Sequence, residues 1–207
     1  AVRCFGFGTD GRLGRGDVLD VGRYHAATPY GDVPVGAAVV VLACGDRHTV
    51  AVTADANLRV WGNCLWGKCG HSDEKPIGDG SARSVATAGD VPLGADARGR
   101  VIDATAGKEH TCALLDTGKL KCFGYNVRGA LLGIDAVRDS IGLSAATAVA
   151  DMPYVDLPWP VVAVKASQHA TVAVALVNNV TPTVYVWGVG PTGLGRFERI
   201  QRTPAVL

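Results

Sequence analysis

The sequence predicts an all-β fold of stacked antiparallel sheets, and three observations carry that prediction. Glycine supplies 27 of the 207 residues, and short valine- and alanine-rich runs stand between the glycines. Such runs favour pleated strands joined by tight turns over helices. An aromatic–glycine pair recurs four times, as Phe5-Gly6, Trp61-Gly62, Phe123-Gly124 and Trp187-Gly188, at steps of 56, 62 and 64 residues. The stretch from His110 to Gly124, HTCALLDTGKLKCFG, reads as one hairpin with a cysteine on each arm.

The elements follow one order along the chain. A hairpin comes first, as VVVLACGDRHTVAV, VIDATAGKEHTCALL and VVAVKASQHATVAVAL. The aromatic–glycine strand and a glycine loop follow, as VRCFGFGTDGRLG, LRVWGNCLWGKCG, LKCFGYNVRGALLG and VYVWGVGPTGLG. After a variable loop comes a short proline strand, as YGDVPVG, AGDVPLG, ADMPYVDL and RTPAVL. Proline donates no ladder hydrogen bond, so Pro34, Pro92, Pro153 and Pro204 fit an edge or a strand start.

A unit of three or four antiparallel strands cannot bury both faces alone. Radial stacking buries them, which predicts a β-propeller of four-stranded blades. The chain reads as a single propeller segment, 1–207, with repeats at about 1–38 (partial), 39–100, 101–160 and 161–207 (partial). These repeats exceed the ~40–50 residues common for propeller blades. The surplus falls in loops, mainly Ser72 to Ala88 and Ile134 to Ala150.

The register of the cysteine hairpin can be read from its turn. Gly118, beside Thr117, can supply the positive φ that a tight turn needs. A turn centred there sets Cys112 directly opposite Cys122, within disulfide reach. Val50 and Val60 hold the same two places in the preceding hairpin. Cys4 precedes Phe5 as Cys122 precedes Phe123, so its own facing residue would lie ten positions earlier, before Ala1. Four aromatic–glycine strands and four proline strands thus stand with three hairpins. The chain is expected to be a piece of a longer protein, about three full blades plus a split one, half of a seven-bladed ring. A half-propeller completed by another chain or copy, and a four-bladed ring lacking one hairpin, are the alternatives.

Composition narrows the function classes. The formal net charge is +1, without the basic excess or stripe of a nucleic-acid binder. The longest apolar stretch, Val33 to Cys44, falls short of a membrane span and contains Pro34 and Gly36, so no membrane insertion is expected. No start signal for secretion is visible in AVRCFG. The glycine loops GFGTDGRLG and GVGPTGLG precede no helix, so they lack the phosphate-cradling geometry of a nucleotide site.

The histidine strand, the turn, the aromatic–glycine strand and the closing G-x-L-G pattern resemble the regulator of chromosome condensation repeat family. AGKEHTCALLDTGKLKCFGYNVRGALLG, Ala106 to Gly133, carries the resemblance, and the other copies are in register with it. The resemblance covers essentially the whole chain. It implies a β-propeller, seven-bladed in the best-known members. It implies little about activity, because the family includes a nucleotide-exchange factor for a small GTPase, plant light sensors, secreted inhibitors and scaffolds. No motif here carries over an exchange-factor site.

The residues that recur are expected to do structural work. His48, His110 and His169 read as one blade-level position, each making a buried hydrogen bond to a neighbouring strand. Phe5, Trp61, Phe123 and Trp187 read as packing between sheets. Trp66 and Trp159 lie outside the repeat and are candidates for a contact surface. Besides Cys112 and Cys122, Cys64 and Cys69 can close the small loop CLWGKC, which favours an extracellular or other oxidising compartment over a cytoplasmic one. Cys44 has no evident partner. Six reduced, buried thiols are the competing reading, and a zinc set of Cys44, Cys64, Cys69 and His71 is a third. Asn179 opens an Asn-Val-Thr glycosylation sequon, followed by the unfavourable Pro182.

The function expected is a non-catalytic protein-interaction or structural scaffold without cofactor or metal. Its partners would be other protein chains or the remainder of the propeller. The alternative is an exchange-factor-like regulator of a small GTPase. A propeller hydrolase would need converging carboxylates, and Asp10, Asp73 and Asp135 do not share one repeat position.

Overall fold

The computed structural model describes residues 1–22, 31–81, 83–94, 100–126, 130–134, 139–189 and 205–206. They form antiparallel sheets arranged as propeller blades. The first complete hairpin opens a sheet of β1 (Val39–Cys44), β2 (His48–Thr53) and β3 (Leu58–Gly62), in that spatial order. The next contains β4 (Val101–Ala106), β5 (His110–Leu115), β6 (Leu120–Tyr125) and β7 (Ser140–Ile141). The last contains β8 (Val161–Ala166), β9 (Ala170–Val177), β10 (Thr181–Gly188) and β11 (Ala205–Val206). The four-residue helix α1 (Val85–Ala88) is capped by Ser84 and Thr87.

Local chemistry explains the strands. β2 reads HTVAVT and β5 reads HTCALL, and every residue of both is buried. A strand covered on both faces reads as a near-continuous run of apolar and small residues rather than an alternation. The innermost strands β1, β4 and β8 repeat one irregularity. The register shifts between Val39 and Val41, between Val101 and Asp103, and between Val161 and Ala163. The bulge turns Val40, Ile102 and Val162 outward, and all three are exposed.

The outermost strand is assembled in two pieces, where the sequence pointed only to the proline segment. One piece is that segment: Val33, Val91 and Val155 each donate N–H to the carbonyls of Val2, Leu58 and Leu120, at 2.8 Å in each case. Pro34 and Pro92 directly follow their donors, Pro153 precedes its donor by two positions, and Pro204 lies outside the described residues. The other piece comes from the variable loop, where Val21 pairs with Gly6, Ile77 with Gly62, and Ile141 with Gly124. Val21, Ile77 and Ile141 are buried. Each is a single apolar anchor among loop residues, so no periodic pattern announces it.

The glycine after each aromatic shows how tightly the ladder closes. Gly62 and Gly124 adopt φ of +108° and +111°. A Cβ at Gly62 would stand 2.6 Å from the Arg47 carbonyl oxygen, and one at Gly124 would stand 2.4 Å from that of Glu109. Gly6 has the same backbone, φ +116°, yet nothing lies within 4 Å of its Cβ position. Gly124→Ala is therefore expected to lower stability by about 1–3 kcal/mol more than Gly6→Ala, as read from urea denaturation midpoints. The two substitutions share the conformational cost, so their difference isolates the steric one.

Candidate protein-interaction surfaces

The joints between blades decide what remains on the surface. At the first, a Cβ on Gly14 would stand 2.6 Å from Trp61 Nε1; at the second, one on Gly70 would stand 3.0 Å from Phe123 Cε2. At the third, one on Gly133 would stand 2.7 Å from Trp187 Nε1. The last glycine of each loop thus lies flat against the aromatic ring of the following blade. Trp61, Phe123 and Trp187 are completely buried by this contact.

Phe5 departs from the packing role expected of it. It is 72% exposed, and Phe7 is also exposed. The physical reason is the direction of the joint: each aromatic is covered by the glycine loop of the preceding blade, and no described residue fills that place for Phe5.

A second contact runs through histidine. His48 Nε2 lies 2.9 Å from Thr111 Oγ1, and His110 Nε2 lies 2.9 Å from Thr171 Oγ1, each in the next blade. Thr111 donates its own hydroxyl proton to the Lys68 carbonyl at 2.8 Å. The Thr111 oxygen can then only accept from His48, which makes His48 the Nε2–H tautomer. Lys68 is itself buried and ion-paired with Glu109.

His169 does not occupy this position, contrary to the repeat expected from the sequence. Cross-strand pairs set Thr49 opposite Trp61, Thr111 opposite Phe123 and Thr171 opposite Trp187. The residue before Thr171 is Ala170, so the third copy of the histidine position holds alanine. A one-residue step turns a strand side chain to the opposite face, and His169 is exposed. Its carbonyl oxygen instead lies 2.3 Å from a Cβ placed on Gly188, the role that Glu109 plays for Gly124.

Burial keeps the two joint histidines neutral. It pushes His48 down to about 3, with the Lys68 ammonium adding to the effect, and pushes His110 down to about 4. An unfolded chain, titrating near 6.5, takes up protons that the folded one refuses. Their stabilisation is whole above about pH 6.5 and declines as pH falls through the folded values. The urea midpoint is expected to fall between pH 6.5 and pH 4, and to fall less in a His48→Gln/His110→Gln double variant. An equal fall in both proteins would assign the acid sensitivity to other groups.

Two cysteine pairs are disulfides. Cys112 and Cys122 face each other across β5 and β6 with S–S 2.07 Å, and Cys64 and Cys69 close the CLWGKC turn with S–S 2.01 Å. The second bridge takes two of the four ligands that a zinc set would need. Cys44 is exposed, and His71 is half-buried, its pKa lowered by burial and by Arg83. Among the described residues no three metal-ligating side chains converge. Asp10 pairs with Arg12 and Asp73 with Arg83, while Asp135 lies outside the described residues. Val50 and Val60 fill the Cys112 and Cys122 places one blade earlier. A Cys112→Val/Cys122→Val chain is therefore expected to fold with the same circular-dichroism spectrum, while losing about 2–3 kcal/mol from the open short loop.

The remaining candidates separate by exposure. Trp66 is 44% exposed, and its ring lies 4.9 Å from that of Tyr125 in the next blade. Its backbone has φ +64°, and its N–H donates to the Glu74 carboxylate at 2.9 Å. Asp10 has the same conformation at the matching place of the first loop, φ +63°. Asp tolerates that region, whereas a bulky ring there costs about 1–3 kcal/mol. Trp159 is instead partly buried against the core. Asn179 is exposed at the β9–β10 turn, φ +60°. The loops from Ser72 to Ala88 and from Ile134 to Ala150 are described except at 82 and 135–138.

Comparison with known proteins fits this geometry. The Regulator of chromosome condensation (RCC1) repeat matches residues 39–64 and 101–130. Prp20p of Saccharomyces cerevisiae, solved in work on its binding to Gsp1p and histones, superposes with TM-score 0.67 at 25% identity, over 98% of this chain and 45% of that one. The chain is an RCC1-like propeller. The ultraviolet-B receptor UVR8 of Arabidopsis thaliana is 29% identical to it over 204 residues, 96% of this chain and 39% of that protein. The human E3 ubiquitin-protein ligase HERC2 is 32% identical over 74 residues, 36% of this chain and 2% of that protein. This RCC1-like chain thus spans less than half the length of each of these relatives. No helix among its described residues is long and apolar enough to cross a membrane.

Proposed function

We propose that this RCC1-like chain is a non-catalytic scaffold that docks other proteins, working in an oxidising compartment. The observation that carries this reading is Trp66. It is exposed, held in a costly backbone conformation and braced by Tyr125 from the next blade. Tryptophan is among the side chains enriched at the energetic centres of protein interfaces. Strain of this kind persists where the surrounding structure over-determines it, and it gathers at binding sites. The two disulfides support the compartment.

The alternative is an exchange-factor-like regulator of a small GTPase. The likeness to Prp20p, a protein studied for its binding to Gsp1p, favours it. The two readings differ in one rate. The chain is expected to leave GDP release from Gsp1p unchanged in a fluorescent-nucleotide assay. Acceleration of release would overturn the scaffold reading in favour of the exchange factor. Binding to Gsp1p or to histones, measured by titration calorimetry, is expected to weaken about 10- to 30-fold in Trp66→Ala, the loss typical of an interface hot spot.

A further inference from the structure

The Asn179-Val180-Thr181 sequon lies at the turn between β9 and β10, and that turn differs from its counterparts. Thr49 faces Trp61 and Thr111 faces Phe123, each twelve positions apart, whereas Thr171 faces Trp187 sixteen positions apart. The four extra residues add the pairs Leu176 with Pro182 and Val177 with Thr181. Two more strand pairs carry the tip about 7 Å further out. The joint between blades stops short of it. In the two preceding sheets the residue five before the aromatic, Ala56 or Gly118, accepts the N–H of Val101 or Val161 from the next blade, at 3.1 and 2.9 Å. The residue five before Trp187 is Pro182, already inside β10. Asn178, Asn179 and Val180 therefore stand beyond the level at which one blade meets the next, whatever packs on this sheet.

Turn geometry accounts for part of this sequence. Asn178 and Asn179 hold φ of +51° and +60°, the left-handed pair that a tight hairpin turn needs. Aspartate or glycine would serve that turn as well. Only asparagine followed two positions later by a hydroxyl residue also accepts a glycan. The whole tripeptide is open to solvent: Asn179 and Thr181 are exposed, and Val180 between them is 78% exposed. Among the described residues no hydrogen bond ties the Asn179 side-chain amide. Its nitrogen is free to carry a bulky group without breaking a contact of the fold.

Resting on the reading of an oxidising compartment, we infer that Asn179 carries an N-linked glycan. The lumen in which secreted chains gain disulfides is also where such transfer takes place. The donor is an oligosaccharide linked to a lipid diphosphate. Asn179 Nδ2 bonds to C1 of the first sugar, the bond from C1 to the diphosphate oxygen breaks, and Nδ2 gives up one proton as the lipid diphosphate departs. The sugar then projects from the hairpin end of its blade. Trp66 stands in a loop that leaves the opposite end, after an aromatic–glycine strand. The glycan thus covers one end of the propeller and leaves the Trp66 end open to a partner.

The test is secretion of the chain from a human cell line behind an added signal peptide, followed by intact-mass measurement. One glycan is expected on about half or more of the chains. Peptide-N-glycosidase F is expected to remove it and leave aspartate at position 179. The glycan is expected to be absent from Asn179→Gln and from Thr181→Ala, the second of which keeps both asparagines of the turn. A secreted chain without the glycan would overturn the proposal. So would modification confined to a Pro182→Ala chain, which would show that the proline closes the site. The bridges Cys64–Cys69 and Cys112–Cys122 are read in the same spectra. Bridged chains without the glycan would sink this inference and leave the compartment reading standing, whereas reduced thiols at those positions would sink both.

Discussion

Close approach of bare backbone between successive blades is the constraint on which this structure depends. Gly11 lies against Gly78 and Asp79, and Gly67 against Ile141, Gly142 and Leu143, with Cβ positions 2.4 and 2.5 Å from backbone atoms. Gly45 and Gly107 do the same near the inner strands, where each Cβ position falls within 2.6 Å of the next blade's carbonyl. Only a residue without a Cβ permits such contact, and Gly11 and Gly67 also hold positive φ. Part of the glycine content thus marks places where two sheets touch main chain to main chain.

Polar groups trapped by that approach must satisfy one another. His48, Thr111 and the Lys68 carbonyl form a directed chain across one joint, with the Lys68–Glu109 ion pair beside it. Breaking any link leaves a buried donor or acceptor unmatched, which costs about 1–3 kcal/mol. The joint therefore selects a single register between blades, which hydrophobic burial alone, being non-directional, does not. Stability in such an array comes from each sheet and its nearest neighbours. The end sheets show the converse, because Leu42 on one side and Val172 on the other remain exposed where their repeat counterparts are buried.

Rigid joints leave function to what projects from them. Trp66 and Tyr125 meet across a joint, so the position of the exposed ring is set by two blades and not by one loop. The fold itself hosts many activities, so such particular side chains, not the fold, decide among them.

The sequence alone determined the strand order, the hairpin register and the disulfide across it. These depend on local rules, namely turn chemistry and the period of two along a strand. The repeat of aromatic and glycine also foretold which rings would be buried, for Trp61, Phe123 and Trp187 but not for Phe5. Tertiary structure decided the rest. The His169 step was invisible because QHAT and EHTC align equally well by histidine or by threonine, and only pairing with Trp187 chose threonine. Val21, Ile77 and Ile141 carried no local signal, since an outer strand held by one or two residue pairs needs no periodic run. Whether Phe5 is covered depended on which neighbour covers an aromatic, a direction of stacking that no single strand encodes.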